Sequence, residues 1–476
     1  MPIRQPRKTK LIATIGPACD SPEILKAMIG AGMNVARLNF SHGTHEEHHE
    51  RLETIRSVSA ELSANVAIML DTKGVKIRTG LLEGGRALLA ADRRFVLYTG
   101  EHPGNSEGVS ISRPALVEEI EVGSSVLLDD GVIELLVTGL KADSIECKVV
   151  RGGQLEDRKG VNLPGTRLDP GPMSVENRDD LLFAVAHDID YIAASFVRSA
   201  HDVTEIRKLL ENHNAQIPVI AKIEHREAVE NLREIVSEAN GTMVARGDLG
   251  VELPVHQVPL VQKRIIRTTV SSGKPVITAT QMLDSMERNP IPTRAEVTDV
   301  ANAILDGTSA VMLSGETATG SYPVEAVRTM AATAFEAESS LDEWGHLQKI
   351  RSEPTHVVTE AVSQAAITMA NHLKAAAILT LTETGFTSRA ISKYRPRCPI
   401  IAVTSAERVV RRLALNWGVT ALIYEGERDD DQMLSYAARR GLELGLIKRG
   451  DILVATAGVS RRTGSTNMIR VITADG

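Results

Sequence analysis

Short apolar, β-branched runs recur along the chain, each bounded by turn signals and separated by stretches with helical spacing. In order they are Leu11–Ile15, Asn34–Phe40, Val66–Leu70, Tyr191–Phe196, Pro218–Glu224, Thr242–Arg246, Pro275–Thr280 and Ser309–Leu313. Strands alternating with helices build parallel βα units, and eight of them predict an α/β fold of (β/α)8 barrel type. Nearly every run ends in a charged or hydroxyl cluster: Arg37 to Ser41, Asp71-Thr72-Lys73, Ser195, Lys222-Ile223-Glu224, Arg246 to Gly250, Thr280-Gln281 and Ser314 to Thr317. Barrel enzymes place their chemistry at the C-terminal ends of the strands. Ordinary βα loops with polar helix caps are the plainer reading of any single cluster.

Between the third and fourth runs lies an insertion, residues 74–167, with strand-like stretches Phe95–Tyr98, Val126–Leu128, Ile133–Val137 and Ile145–Val150. Gly-containing turns such as Asp129-Asp130-Gly131 break them, which predicts a small β-barrel domain grafted on one barrel loop. The barrel itself then takes residues 1–73 and 168–345. After Ser339 a polar stretch ending at Glu353-Pro354 reads as a linker. Residues 346–476 begin a second α/β series: helix Val358–Leu373, strand Ala377–Leu381, helix Thr387–Tyr394, strand Pro399–Thr404, then Asp451–Thr456 and Ile469–Thr473.

A length of 476 residues agrees with two or three domains. Lys plus Arg is 54 against 61 Asp plus Glu, a net charge of −7, which argues against a nucleic-acid partner. Cys19, Cys147 and Cys398 lie far apart, excluding a cysteine zinc site and fitting a reducing compartment. The basic start (Arg4, Arg7, Lys8, Lys10) precedes too short an apolar run for a signal peptide. No run approaches the ~20 apolar residues of a membrane helix, so a cytoplasmic protein without a membrane partner is expected.

Alternate residues of a strand share a face. Arg37, Asn39 and Ser41 should therefore project together, as should Lys222 and Glu224, and Arg246 with Asp248 if that strand persists. A cation beside two carboxylates at one barrel mouth suits a metal-assisted reaction on an anionic substrate. Mg²⁺ needs only one or two protein carboxylates, and Glu224 and Asp248 are the candidates; Lys–Glu packing pairs are the structural alternative. Gly247-Asp248-Leu249-Gly250 reads as a turn entering a helix, where free N–H groups bind anions.

Two motifs are set aside. His45-Glu46-Glu47-His48-His49 matches H-E-x-x-H, yet it opens a helix whose Leu52, Ile55 and Val58 form an apolar face, and no third ligand is evident. Gly273-Lys274 is followed by Pro275, not the Ser or Thr a P-loop requires.

Taken together, several segments resemble the pyruvate kinase family. They are Thr9–Pro17, Gly32–Gly43, Asp71–Gly80, Lys159–Gly165, Ala221–Glu224, Met243–Glu252 and Asn289–Gly307. The resemblance implies transfer of the phosphoryl group of phosphoenolpyruvate to ADP, giving pyruvate and ATP. It gives Arg37 the phosphate of phosphoenolpyruvate, and Lys222 the transferring phosphoryl group and enolate oxygen. Glu224 and Asp248 would hold Mg²⁺, for which Mn²⁺ can substitute. Gly247, Asp248 and Thr280 would bind the substrate carboxylate, with Thr280 also near the proton delivered to the enolate. Asn39, Arg78 and Lys159 match nucleotide contacts, and Asn39, Ser41, Asp71 and Thr72 match ligands of a monovalent cation.

Three positions depart from the commoner pattern: Val75-Lys76, His225 and Phe386. Lysine at position 76 implies that K⁺ is not required. The Thr/Gly-rich turn Thr382 to Ser388 (Thr382, Thr384, Gly385, Thr387, Ser388), with Arg461 and Arg462, reads either as a phosphate-binding arrangement or as a polar loop with a helix cap, and the resemblance implies the former, an allosteric site for a phosphosugar or AMP. A homotetramer is what the family suggests. Two further readings are an Mg²⁺-dependent barrel lyase or aldolase acting on a pyruvate enolate, and a degenerate homologue kept as a metabolite sensor. The first leaves the insertion and Lys222 unexplained, and the second predicts a broken Arg37, Lys222, Glu224 or Asp248.

Overall fold

A computed structural model describes residues 7–74, 77–129, 131–166, 173–345, 357–458 and 466–474. Eight parallel strands close into a barrel: Lys10–Thr14, Val35–Asn39, Ala67–Asp71, Tyr191–Ala194, Val219–Ile223, Gly241–Ala245, Val276–Ala279 and Ala310–Leu313. All eight predicted runs supply one strand each. The first strand closes the ring against the eighth, Lys10 opposite Ala310.

Strand alternation sorts the side chains. Outward-facing Leu11, Ala13, Leu38, Ile68 and Leu70 join the helices in one large core. Inward-facing Ile12, Val35, Met69, Ala193, Ile220, Met243, Ile277 and Met312 fill the barrel itself. Polar residues farther along the connections after the strands cap helices. Thr44 caps helix His45–Glu61 in a capping box with Glu47, and Thr293 does the same with Glu296 at helix Arg294–Leu305.

The insertion forms a seven-stranded sheet and a two-stranded ribbon around its own core. Thr79 and Ile111 bridge the ends of the sheet's two edge strands, Ile77–Arg78 and Gly108–Ser110, so the sheet curls into a small barrel. The paired strands Arg86–Leu89 and Gly153–Glu156 are only four residues long each, and the second has a single large apolar residue, Leu155, so neither stands out in the sequence.

The C-terminal domain has a five-stranded sheet in which only Thr466–Thr473 runs antiparallel. The predicted helix Thr387–Tyr394 is found at Phe386–Ser392, and Arg395, at φ 51°, breaks the helical course just beyond it. The expected linker at Glu353-Pro354 lies outside the described residues. Strand Val419–Ile423 and helices Glu407–Leu413 and Asp430–Glu443 complete the domain.

The C-terminal domain docks under the barrel. Leu415 and Ala414 belong to the same buried cluster as the barrel interior, and Leu415 is fully buried. Around this plug, Lys10 Nζ donates to the Val419 carbonyl at 2.7 Å, and Tyr191 Oη donates to the Arg412 carbonyl at 2.5 Å. Among the described residues no helix is long and apolar enough to cross a membrane. Leu415→Ala should leave a cavity at the barrel floor and cost about 2–5 kcal/mol. Urea denaturation measures it; a loss under about 1 kcal/mol would mean the two domains do not share a core.

Candidate active site

The inward face of each strand changes character at its C-terminal end. Two residues after Val35 comes Arg37, two after Met69 comes Asp71, two after Ala193 comes Ser195, and two after Ile220 comes Lys222, followed by Glu224. The apolar layers end there, and these polar side chains meet above them.

Asp71 ties the group together. Its Oδ2 accepts from Arg37 Nε at 2.7 Å, and its Oδ1 lies 3.0 Å from Lys222 Nζ. Lys222 Nζ also lies 2.8 Å from Glu224 Oε1 and donates to Ser195 Oγ at 2.6 Å, so all three ammonium hydrogens have acceptors. Glu224 Oε2 accepts from Phe196 N at 2.8 Å, and Arg37 Nη1 donates to Thr14 Oγ1 at 2.8 Å. Asp71 and Glu224 side chains are 1% exposed, whereas Lys222 keeps 12%, so the lysine faces the mouth.

Burial alone would push the Lys222 ammonium down, but Asp71, Glu224 and Asp248 outweigh it and hold its pKa above the ordinary lysine value. Burial also pushes Asp71 up, and there Arg37 and Lys222 win, so it stays ionised below the usual carboxylate range. Glu224 is raised, chiefly by burial, with Asp248 adding to it and Lys222 opposing. Three carboxylates thus face two cations, an arrangement that favours an added cation.

Two strand-based expectations are corrected. The sixth strand stops at Ala245, and Arg246–Glu252 is already helical, so Arg246 and Asp248 do not share a strand face. Arg246 turns away to the carbonyls of Ala279 and Thr280 and to Asp299. Gly247 to Gly250 lie inside that helix instead of in a turn before it. Ser41 likewise falls beyond the second strand, in a turn where its N–H donates to Asn39 Oδ1 at 3.3 Å. Gly247 N donates to Thr280 Oγ1 at 2.8 Å, which brings those two predicted residues together. Thr280 has φ 68°, a left-handed conformation unusual for a β-branched residue, and its hydroxyl donates to the Ala279 carbonyl.

Asp248 takes part in no ion pair or side-chain hydrogen bond among the described residues, yet its charge acts on Lys222 and Glu224. Its carboxylate and that of Glu224, whose oxygens keep unused lone pairs, are hard oxygen donors of the kind Mg²⁺ selects. No group of three or more His, Cys, Asp or Glu suited to a metal occurs among the described residues. The His45–His49 segment is structural: His45 pairs with Asp180, and buried His48 stacks on Phe40 and bonds the His42 carbonyl.

Ser195 had no assigned role from the sequence, although its place two residues after an inward alanine marked it. Besides holding Lys222, its Oγ donates to the Thr72 carbonyl at 2.8 Å, and its N–H donates to Thr72 Oγ1 at 3.1 Å. Thr72 is thereby drawn into the cluster. In the insertion, Arg78 and Lys159 lie together: Arg78 pairs with Gly160, and Lys159 Nζ sits 3.1 Å from Asp129. Gly74, at the entry, packs where any Cβ would strike the Phe196 ring, and Gly165, near the exit, has φ 76°.

In the C-terminal turn the hydroxyls mostly serve the turn itself. Thr382 Oγ1 accepts from Gly385 N, Thr387 bonds Thr466, Ser388 bonds Thr380, and Thr384 is exposed. Lys76, Arg461 and Arg462 lie outside the described residues.

Two family models match the chain: the pyruvate kinase barrel domain over residues 6–327 and the pyruvate kinase alpha/beta domain over residues 360–472. A pyruvate kinase of Geobacillus stearothermophilus is 50% identical over 469 residues, covering 98% of this chain and 80% of that protein. One of Staphylococcus aureus is 47% identical over 472 residues with the same coverage. The crystal structure of a pyruvate kinase from Cryptosporidium parvum superposes with TM-score 0.89 at 40% identity, covering 98% of this chain and 96% of that one.

Asp71→Asn should destabilise the fold by about 3 kcal/mol or more, because it leaves Arg37 and Lys222 short of a buried counter-charge. Since Asp71 is depressed in the folded state, its contribution is complete above the ordinary carboxylate pKa and fades as pH falls through the lower folded value. The gap between wild type and variant in urea midpoint should hold from neutrality to about pH 4 and narrow below it. A gap that widened on acidification would contradict the assignment.

Proposed function

The chain belongs to the pyruvate kinase family, and from that premise we propose how its own residues perform the reaction, the transfer of the phosphoryl group of phosphoenolpyruvate to ADP to give pyruvate and ATP. The observation that carries the reading is Lys222, kept charged between Asp71 and Glu224 at the barrel mouth with Arg37 on the other side of Asp71.

Arg37 spends Nε on Asp71 and Nη1 on Thr14, leaving Nη2 to donate to the substrate phosphate. Lys222 must exchange one of its three acceptors for a phosphoryl oxygen. Ser195 is the one most readily released, because it alone carries no charge. The ammonium then stands where negative charge develops on the phosphoryl oxygens and the enolate. Glu224 and Asp248 would hold Mg²⁺ or Mn²⁺, which when bound supplies further positive charge to those oxygens. The Asp248 N–H and the Gly247 N–H, which exchanges Thr280 Oγ1 for the ligand, receive the substrate carboxylate together with Thr280, whose hydroxyl then delivers the proton toward the enolate carbon. Asn39, Arg78 and Lys159 contact the nucleotide as the insertion closes about Gly74 and Gly165 and excludes water.

The remaining parts of the reading rest on the family and the sequence: a cytoplasmic homotetramer, with a phosphosugar or AMP bound at Thr382–Ser388, Arg461 and Arg462. The barrel runs over residues 1–73 and 168–345, the lid over 74–167, and the regulatory domain over 346–476. Formation of pyruvate from phosphoenolpyruvate and ADP in a coupled assay is the direct test.

Lys222→Met should lower kcat by about a hundredfold or more with little change in KM for phosphoenolpyruvate, the pattern of an interaction made mainly in the transition state. Near-normal kcat would remove Lys222 from the mechanism. Lys76 places a fixed positive charge in the sequence segment next to Asp71 and Thr72, where the family's monovalent-cation ligands lie. Activity should therefore survive replacement of all K⁺ by tetramethylammonium at constant ionic strength, and Lys76→Glu should become K⁺-dependent. A large loss in the wild type that K⁺ restores would overturn this.

A further inference from the structure

The seventh strand, Val276–Ala279, ends in an unusual backbone. The two residues after it, Thr280 and Gln281, both take left-handed angles, φ 68° and φ 52°. Such a residue brings its Cβ against the following carbonyl, and a β-branched threonine is worse placed than most. Two in succession persist only where the surroundings hold them.

Arg246, just beyond the end of the neighbouring strand, supplies that hold. Its Nε donates to the carbonyls of Ala279 and Thr280 at 3.2 and 3.1 Å. Its Nη2 donates to the carbonyls of Thr280 and Gln281 at 2.6 and 3.1 Å. Three successive carbonyls thus face one guanidinium. Nη1 is fixed from behind by Asp299 at 2.5 Å, on helix Arg294–Leu305. A planar, rigid fork can serve several acceptors from one position, which an ammonium on a flexible stem cannot match.

Thr280 is held at its other end by the next residue in the chain, because Gly247 N donates to Thr280 Oγ1 at 2.8 Å. That contact is the one a substrate carboxylate takes over. Once it is exchanged, the Arg246 contacts to the backbone still keep the threonine in its left-handed conformation. The arginine side chain is 12% exposed, and its Nε, Nη1 and Nη2 all donate to protein groups.

We propose that Arg246 is a positioning residue for the reaction, a role that rests on the reading of Thr280 given above. It clamps the Thr280–Gln281 turn so that the Thr280 hydroxyl stays aimed at the substrate, and it acts only through that residue. Its contribution is geometric: the fork matters, and the positive charge by itself does not.

The test is a double-mutant cycle on the full-length enzyme, with Mg²⁺, phosphoenolpyruvate and ADP at saturation. Arg246→Gln should lower kcat roughly ten- to a hundredfold, the range for a reacting group displaced by up to about 1 Å. Arg246→Lys, which keeps the charge and loses the fork, should be no faster. Combining Arg246→Gln with Thr280→Ala should be no slower than Thr280→Ala alone, whereas a merely structural role for the arginine would multiply the two losses. Each variant is verified as folded by its thermal melt. If Arg246→Gln does not fold, Asp299→Ala, which frees the same guanidinium from the solvent side, takes its place in the cycle with a loss of roughly threefold or more. With Thr280→Ala slow, normal kcat in the Arg246 or Asp299 variant, recovery in Arg246→Lys, or multiplied losses would overturn the clamp and leave the role of Thr280 standing. Wild-type turnover in Thr280→Ala would instead remove that role, and the clamp with it.

Discussion

The interior of a closed eight-stranded barrel is dry, and every second residue of every strand must point into it. Apolar layers of Ile12, Val35, Met69, Ile220, Met243, Ile277 and Met312 meet that demand in the middle. Polar side chains are tolerable only where the strands reach an end. The rest of the molecule follows from this constraint: chemistry collects at one mouth, and at the other a second domain covers what the barrel cannot bury by itself.

At the upper mouth the charges are costly and mutually dependent. Removing an ion from water costs several kcal/mol, while a pair about 3 Å apart gains roughly 5 kcal/mol at an effective dielectric of 20. Neither term dominates. Lys222 is held by Asp71, Glu224 and Ser195, and Asp71 by Arg37 and Lys222, so removal of any one leaves a buried charge uncompensated. A cluster with more carboxylates than cations is satisfied in full only when a cation and an anionic substrate join it.

At the lower mouth the same strands begin with polar groups that need a partner. Lys10 is buried, its pKa lowered to about 7 chiefly by loss of water, and its ammonium donates to the Val419 carbonyl. Asp190, fully buried, accepts from Arg56 at 2.9 Å, from Arg411 at 2.8 Å and from the Ile68 N–H. Arg411 belongs to the C-terminal domain, so an ion pair and a hydrophobic plug fasten the two together. The fourth strand spans both ends: Tyr191 bonds the Arg412 carbonyl below, and Ser195 just beyond its upper end holds Lys222.

The barrel was legible in the sequence because period-two and period-3.6 patterns are local. Eight apolar runs, seven of them with polar ends, read the same way in the chain and in the fold, and Lys222 beside Glu224 needed nothing beyond strand alternation. Prediction failed where a strand ended sooner than its apolar run, as at Arg246 and Ser41: helix and turn geometry then set the direction of the side chain, and hydrophobic spacing does not mark that boundary. It was silent wherever residues far apart had to meet. The sharing of Asp71 by Arg37 and Lys222, the support from Ser195 and the insertion of Leu415 into the barrel floor depend on closure and docking. The sequence by itself determined which elements form and which faces are polar, since those follow from each residue's own neighbours. Which polar groups become partners was decided only by the tertiary structure, because a counter-charge acts through distance in space and not along the chain.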